Sequence, residues 1–150
     1  MRLFTIFALG LAVISTAALA HQGATGVVKQ RMEAMKDTAS QMKTIAGMVK
    51  GESALDAEVV ASSATIISRH AEEIPGLFPE GSIRKPSEAL PEIWTNWNDF
   101  TSRAQRLAGR ARNLAEIAGS NAEAGALAAA FAAMGETCKN CHTRYRVKKQ

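Results

Sequence analysis

The sequence predicts an all-α chain folded as an antiparallel up-down-up-down four-helix bundle. Three observations carry that expectation. Four segments place apolar residues at alternating spacings of four and three, the stripe of a helix that buries one face. Two of the three connections are short, which makes the helices they join antiparallel neighbours. The composition, 47% hydrophobic with only 5% aromatic, suits helices packed through small and unbranched side chains.

Residues 1–20 read as a secretion signal. Arg2 is a thin charged start, Leu3 to Ile14 is mostly apolar, and Ala18-Leu19-Ala20 is a small-residue cleavage site. The alternative, an uncleaved membrane anchor, needs an apolar run of about 20 residues. This run is shorter, so the expectation is cleavage, with residues 21–150 as one domain beginning at His21 and with no membrane span left.

The first helical segment is expected from about Thr25 to Lys50, stopping before Gly51. Its stripe is Val28, Met32, Met35, Ala39, Met42, Ala46 and Val49. The second is expected from about Ser53 to Glu73, with Ser53 and Asp56 as a capping box and Leu55, Val59, Ser62, Ile66, His70 and Ile74 as its stripe. Between Ile74 and Leu90, three prolines and two glycines predict a loop rather than a linker, because either helix pair alone is too small to bury a large cofactor. The third segment starts at Pro91 and stops before Gly119. Ile93, Trp97, Phe100, Ala104, Leu107, Ala111, Leu114 and Ala118 form its stripe. The fourth opens with Ser120 and Glu123, a second possible capping box, and carries Leu127, Phe131, Met134, Cys138, Cys141 and Tyr145 on one stripe.

The chemistry lies at the end of that fourth segment, in Cys138-Lys139-Asn140-Cys141-His142. C-x-x-C-H is the attachment signal of a c-type haem. Thiols at this spacing lie one turn apart on one helix face, where they can form thioethers with two vinyl groups on one haem edge. His142 then follows beneath the iron as the proximal imidazole. A structural disulfide or a thioredoxin-like pair uses the same cysteines, but the redox pair belongs beside a strand, and no strand run is near. Zinc needs about four donors, and the motif offers three. Export fits haem attachment, which takes place outside the cytoplasm. The cysteines share the core-facing stripe, so the haem enters the bundle. It is the single cofactor expected, one covalent haem c with its iron.

The formal charge is +4, one unit of which leaves with Arg2. A mildly basic exported protein suits an acidic protein partner better than nucleic acid. Arg144, Arg146, Lys148 and Lys149 concentrate that charge within two turns of the haem motif.

These features resemble the class II c-type cytochromes, the cytochrome c′ family of left-handed four-helix bundles. The motif lies near the end of the last helix, as in that family. Phe131, Gly135, Tyr145 and Arg146 complete its F-x-x-x-G-x-x-C-x-x-C-H-x-x-Y-R pattern. Pro91-Glu92-Ile93-Trp94 is similar to the start of the family's third helix. Pro75, Phe78 and Gly81-Ser82 are similar to its second interhelical loop, and Val28-Lys29-Gln30-Arg31 with Met35 to its first helix. The resemblance implies that Cys138 and Cys141 hold the porphyrin and that His142 is the proximal ligand. It also implies that Arg31 reaches a propionate, that Arg146 lies near the proximal face, and that Met35 occupies the distal position.

Each residue has a plainer reading. Arg146 equally suits a solvated basic tail that complements the helix dipole, Arg31 the surface, and Trp94 and Trp97 the core. His70 is read as a partly exposed polar residue rather than a second ligand. Many family members place Leu, Phe or Tyr where Met35 stands and have open, high-spin iron; a smaller branch places Met there and is low-spin. Met35 as mere core filling is the competing reading, and Met32 is its rival as ligand.

The expectation is a periplasmic, monohaem, low-spin His142/Met35 cytochrome that carries single electrons between redox partner proteins, as a monomer or homodimer. The alternative is a high-spin, five-coordinate cytochrome c′ that binds or buffers NO or CO. An enzyme is not expected, because no distal histidine accompanies Met35 for acid–base work at the iron.

Overall fold

The computed structural model describes residues 23–120 and 123–148; the expected secretion signal and cleavage site lie outside them. Helix α1 spans Gly26–Val49 and α2 Ala57–Glu73, followed by a single 3-10 turn, Ile74–Leu77. A four-residue helix α3 (Glu92–Thr95) precedes α4 (Trp97–Gly119) and α5 (Ala124–Tyr145). The four long helices form a closed ring in which α2 packs most extensively on α4, α4 on α5, α1 on α2, and α1 also touches α5. No β-strand forms among the described residues beyond one isolated bridge.

The helix ends follow local chemistry. At the end of α1, Gly51 takes φ +74°. Its N–H donates to Met48 O (3.0 Å) while the Glu52 N–H reaches Gly47 O (2.8 Å), the paired bonds of a Schellman stop. The start of α2 differs from expectation. Ser53 does not cap it; Asp56 does, its Oδ1 accepting from the Glu58 and Val59 N–H groups at 3.0 and 3.1 Å. Ser120 likewise ends α4 instead of opening α5, its hydroxyl donating to Ile117 O at 2.8 Å, and Glu123 occupies the cap position of α5 without a side-chain bond.

The third expected helix is broken in two. Asn96 (φ −123°, ψ 40°) leaves the helical region, and its side-chain amide donates to Glu92 O at 3.0 Å. A short polar side chain that bonds the backbone competes with the helix ladder, and the helix resumes at Trp97.

The buried faces are those expected for α4 and α5 and differ for α1 and α2. Phe100, Ala104, Leu107, Ala111, Leu114 and Ala118 are buried on α4, joined by Ala108; Leu127, Met134 and Tyr145 are buried on α5. Trp97 departs from the core, remaining 36% exposed. On α2 the buried residues are Val60, Ser63, Ala64, Ile67, Ser68 and Ala71, one position beyond the expected stripe, and Leu55 stays exposed. The reason is the partner. α2 packs most extensively on α4, both helices bury small residues, and Ser68 Oγ donates to Ala108 O at 3.2 Å. Such contact needs side chains that hydropathy ranks low.

On α1 the buried set is Val28, Arg31, Ala34, Thr38 and Ile45; Ala39 faces solvent, while Met35, Met42, Met48 and Val49 are partly buried against the core. His70 ties α2 to α1, its Nε2 lying 2.8 Å from Asp37 Oδ2, which holds the Asp37 carboxyl below the usual carboxylate range.

Candidate haem site

The helix of α5 continues unbroken through the motif, so the two thiols stand one turn apart on its inner face. Cys138 and Cys141 are unpaired, half-buried, and packed against the same core cluster as Phe131 and Met35. Burial pushes both thiols up in pKa and keeps them neutral; at Cys141 the charge of Arg103 opposes the shift. The disulfide alternative is not realised. Among the described residues no three His, Cys, Asp or Glu side chains converge as the zinc alternative requires.

His142 follows Cys141 on the flank of the helix. It is exposed overall, yet desolvation of its ring and then the charge of Arg146 hold the imidazole below its ordinary pKa. That shift favours the neutral imidazole, the form that ligates iron. With Lys139, Thr143, Arg146, Val147 and Lys148 it lines an open depression of about 500 Å³.

Arg146 sits beside His142, where the family pattern places it, but its guanidinium is engaged elsewhere. Nε donates to Glu88 Oε2 at 2.8 Å, and NH2 reaches the same oxygen. The chain around it is pinned rather than free. Leu90 N donates to Tyr145 O (2.9 Å) and Val147 N to Glu88 O (2.8 Å), so the exit of α5 pairs with the middle loop.

Arg31 is not a surface residue. It is 4% exposed, and its guanidinium clamps the loop after the 3-10 turn. NH1 donates to Leu77 O (3.2 Å) and Ser82 Oγ (3.1 Å), NH2 to Ser82 O (2.7 Å), and the group lies 4.6 Å above the Phe78 ring. Gly81, at φ +74°, makes the turn that presents Ser82. Among the described residues no carboxylate acts on this buried cation, whose pKa is lowered by desolvation alone, and its Nε has no partner. An uncompensated buried cation with a spare N–H is what a porphyrin propionate would satisfy.

Met35 lies one turn after Arg31. It packs against the core cluster, and Met32, its rival, does not. His70 is held by Asp37 and is no ligand candidate in this arrangement. Trp94 is half-buried and donates to Phe78 O at 3.0 Å. Two thiols, a neutral imidazole, a thioether, an apolar wall and a buried cation together fit a covalently held haem.

Sequence spacing does not reveal one network at the site. Asp99 Oδ2 accepts from Arg103 Nε (2.7 Å) and the Tyr145 hydroxyl (2.6 Å), and Arg103 NH1 donates to Asn140 O (3.3 Å), inside the motif. The i, i+4 placement of Asp99 and Arg103 was its one legible sign.

Four long helices with C-x-x-C-H closing the last define a c-type haem protein of the helical-bundle class. The family model described as Cytochrome C′ matches residues 26–146, and the chain belongs to that family. It is 37% identical over 124 residues to cytochrome c-556 of Agrobacterium tumefaciens strain II Chrys, covering 83% of this chain and 99% of that one. Cytochrome c′ from Rhodopseudomonas palustris superposes with a TM-score of 0.77 at 32% identity, covering 85% of this chain and all of that one. A nitric oxide complex of a single-site mutant of cytochrome c′ from Alcaligenes xylosoxidans superposes with a TM-score of 0.74 at 28% identity, over 82% and 94% of the two chains. The protein is thus a monohaem cytochrome with covalent haem c. No helix among the described residues is long and apolar enough to cross a membrane.

Proposed function

We propose that this cytochrome is a periplasmic one-electron carrier whose haem is low-spin. Cys138 and Cys141 attach the porphyrin, His142 is the proximal ligand, Met35 the distal ligand, and Arg31 holds a propionate. The haem supplies a one-electron couple. The chain's part would be to hold the haem iron through both His142 and Met35, which would leave no site for small molecules. The observation that carries this reading is the packing of Met35 against the same core cluster as both cysteines, from the helix that touches α5.

The test is the absorption and EPR spectrum of the oxidised protein. A low-spin ferric signal supports the reading. A high-spin signal would replace it with the gas-binding alternative, which the nitric oxide complex of the Alcaligenes relative favours. The same sample, given peroxide and a reducing dye, is expected to show no turnover above free haem; saturable turnover would make it an enzyme.

Electrons reach such a carrier through docking. Val147, 49% exposed, sits among Lys139, Arg146 and Lys148 beside His142, a basic rim suited to an acidic redox protein. Oxidation of the reduced protein by ferricyanide is expected to slow several-fold in Lys148→Glu at low salt and to converge with wild type at high salt, because screening removes the steering. Lys43→Glu on α1 carries the same charge change far along the chain. An equal effect there would mean that net charge acts rather than this rim.

A further inference from the structure

We infer that Arg103 is a positioning residue for the haem: it ties the C-x-x-C-H turn to α4 and sets the reduction potential through a charge balance with Asp99. Nothing in the motif itself calls for it; the geometry does.

Arg103 points from the second turn of α4 toward the end of α5. Its NH1 donates to Asn140 O at 3.3 Å, the carbonyl between the two cysteines, and its Nε donates to Asp99 Oδ2 at 2.7 Å. Asp99 Oδ2 also accepts from the Tyr145 hydroxyl at 2.6 Å, and Tyr145 is buried at 3% exposure. The Arg103 guanidinium lies 6.0 Å from the Tyr145 ring centroid, and its side chain is 24% exposed. One fork therefore joins an aspartate, an aromatic face and the haem-bearing turn. A planar guanidinium can hold two acceptors in fixed directions, whereas an ammonium cannot.

The charge follows from the position. Arg103 is the cation that acts on Cys141, and it meets a carbonyl of α5 inside the haem motif, five residues before that helix ends. Reduction adds one electron to the haem iron, delivered in the test by an electrode, and changes no bond at Arg103. A nearby positive charge favours that electron, and the Asp99 carboxylate opposes it. Because the two are paired, removing either exposes the other.

This inference rests on haem attachment at Cys138, Cys141 and His142 and not on the sixth ligand. Failure of the attachment reading would appear as absence of covalent haem on a denaturing gel; the sixth ligand is reported by the spin state.

The experiment is redox titration of the haem-loaded wild type, Arg103→Gln, Asp99→Asn and Arg103→Lys, with thermal melting of each. Arg103→Gln is expected to lower the potential, about a fivefold change in the oxidised-to-reduced ratio at fixed electrode potential, or about 40 mV at 59 mV per tenfold for one electron. Asp99→Asn is expected to raise it. Arg103→Lys keeps the charge and loses the fork, so its potential stays near wild type while its melting temperature falls. Loosening alone would admit water and move Arg103→Gln and Asp99→Asn in the same direction. Shifts of the same sign, or no shift, overturn the inference. If Arg103→Gln fails to fold, the rise in Asp99→Asn with an unmoved Arg103→Lys still supports it, and an unmoved Asp99→Asn overturns it.

Discussion

Met35→Leu is expected to turn the oxidised protein from low-spin to high-spin, to lower its reduction potential, and to let the reduced form bind CO. The thioether is the only group lost. Leu and Met have similar volume, so exchanging them in a core costs less than about 1.5 kcal/mol. Met35 is only partly buried against the core cluster, which keeps the cost at the low end. The spectrum should therefore change far more than the melting temperature. On the proposed His142/Met35 ligation, loss of the thioether accounts for the fall in potential, since a Met ligand raises it. Met32→Leu is the control. It lies outside the core cluster and should leave the spectrum as it was. If Met32→Leu turned the iron high-spin and Met35→Leu did not, the axial ligand would be reassigned.

Arg31→Met is expected to give the largest loss of stability among single substitutions at the site. The side chain is almost fully buried and makes three hydrogen bonds to one loop. Methionine replaces much of its length but none of its donors. Two carbonyls and a hydroxyl are then left to find water, at about 1–3 kcal/mol for each acceptor that stays buried and unpaired. A net loss of about 3 kcal/mol lowers the melting temperature by about 10 °C in a domain of this size. Helical circular dichroism against temperature measures it, and a change within 2–3 °C, about 1 kcal/mol, would show that the clamp contributes little. Arg146→Met is the contrast. Its ion pair with Glu88 is about half-exposed, and exposed pairs contribute about 0–1 kcal/mol.

The haem motif, the four long helices and the buried faces of α4 and α5 were legible in the sequence because each depends on local spacing. The stripes of α1 and α2 were legible in period but not in phase. Arg31 is buried because a distant turn at Ser82 supplies its acceptors, and hydropathy places an arginine outside. Ser63 and Ser68 are buried because alanines on α4 allow the backbones close, and Ser62, one residue away, is exposed. The same residue type takes opposite sides according to a partner named only by the fold. The break at Asn96 and the caps at Asp56 and Ser120 turned on single side-chain bonds, which compete among several nearby Ser, Asp and Asn residues. Of the Asp99–Arg103–Tyr145 network only the i, i+4 pair was legible, because Tyr145 lies 46 positions from Asp99.

The contrast between the small-residue contact of α2 with α4 and the methionines of α1 bears on how such a protein changes over generations. Ala64, Ala71, Ala108 and Ala111 are at most 1% exposed, and a larger side chain at any of them would drive two helices apart. Drift is closed at that seam. Met35, Met42 and Met48 are flexible, partly buried and adaptable, so neighbours there can be exchanged with little penalty. Met35, the proposed distal ligand, lies on the permissive side. On the reading that Met35 ligates the iron, one substitution there would exchange an electron carrier for an open, gas-binding haem while the α2–α4 seam stays as it is.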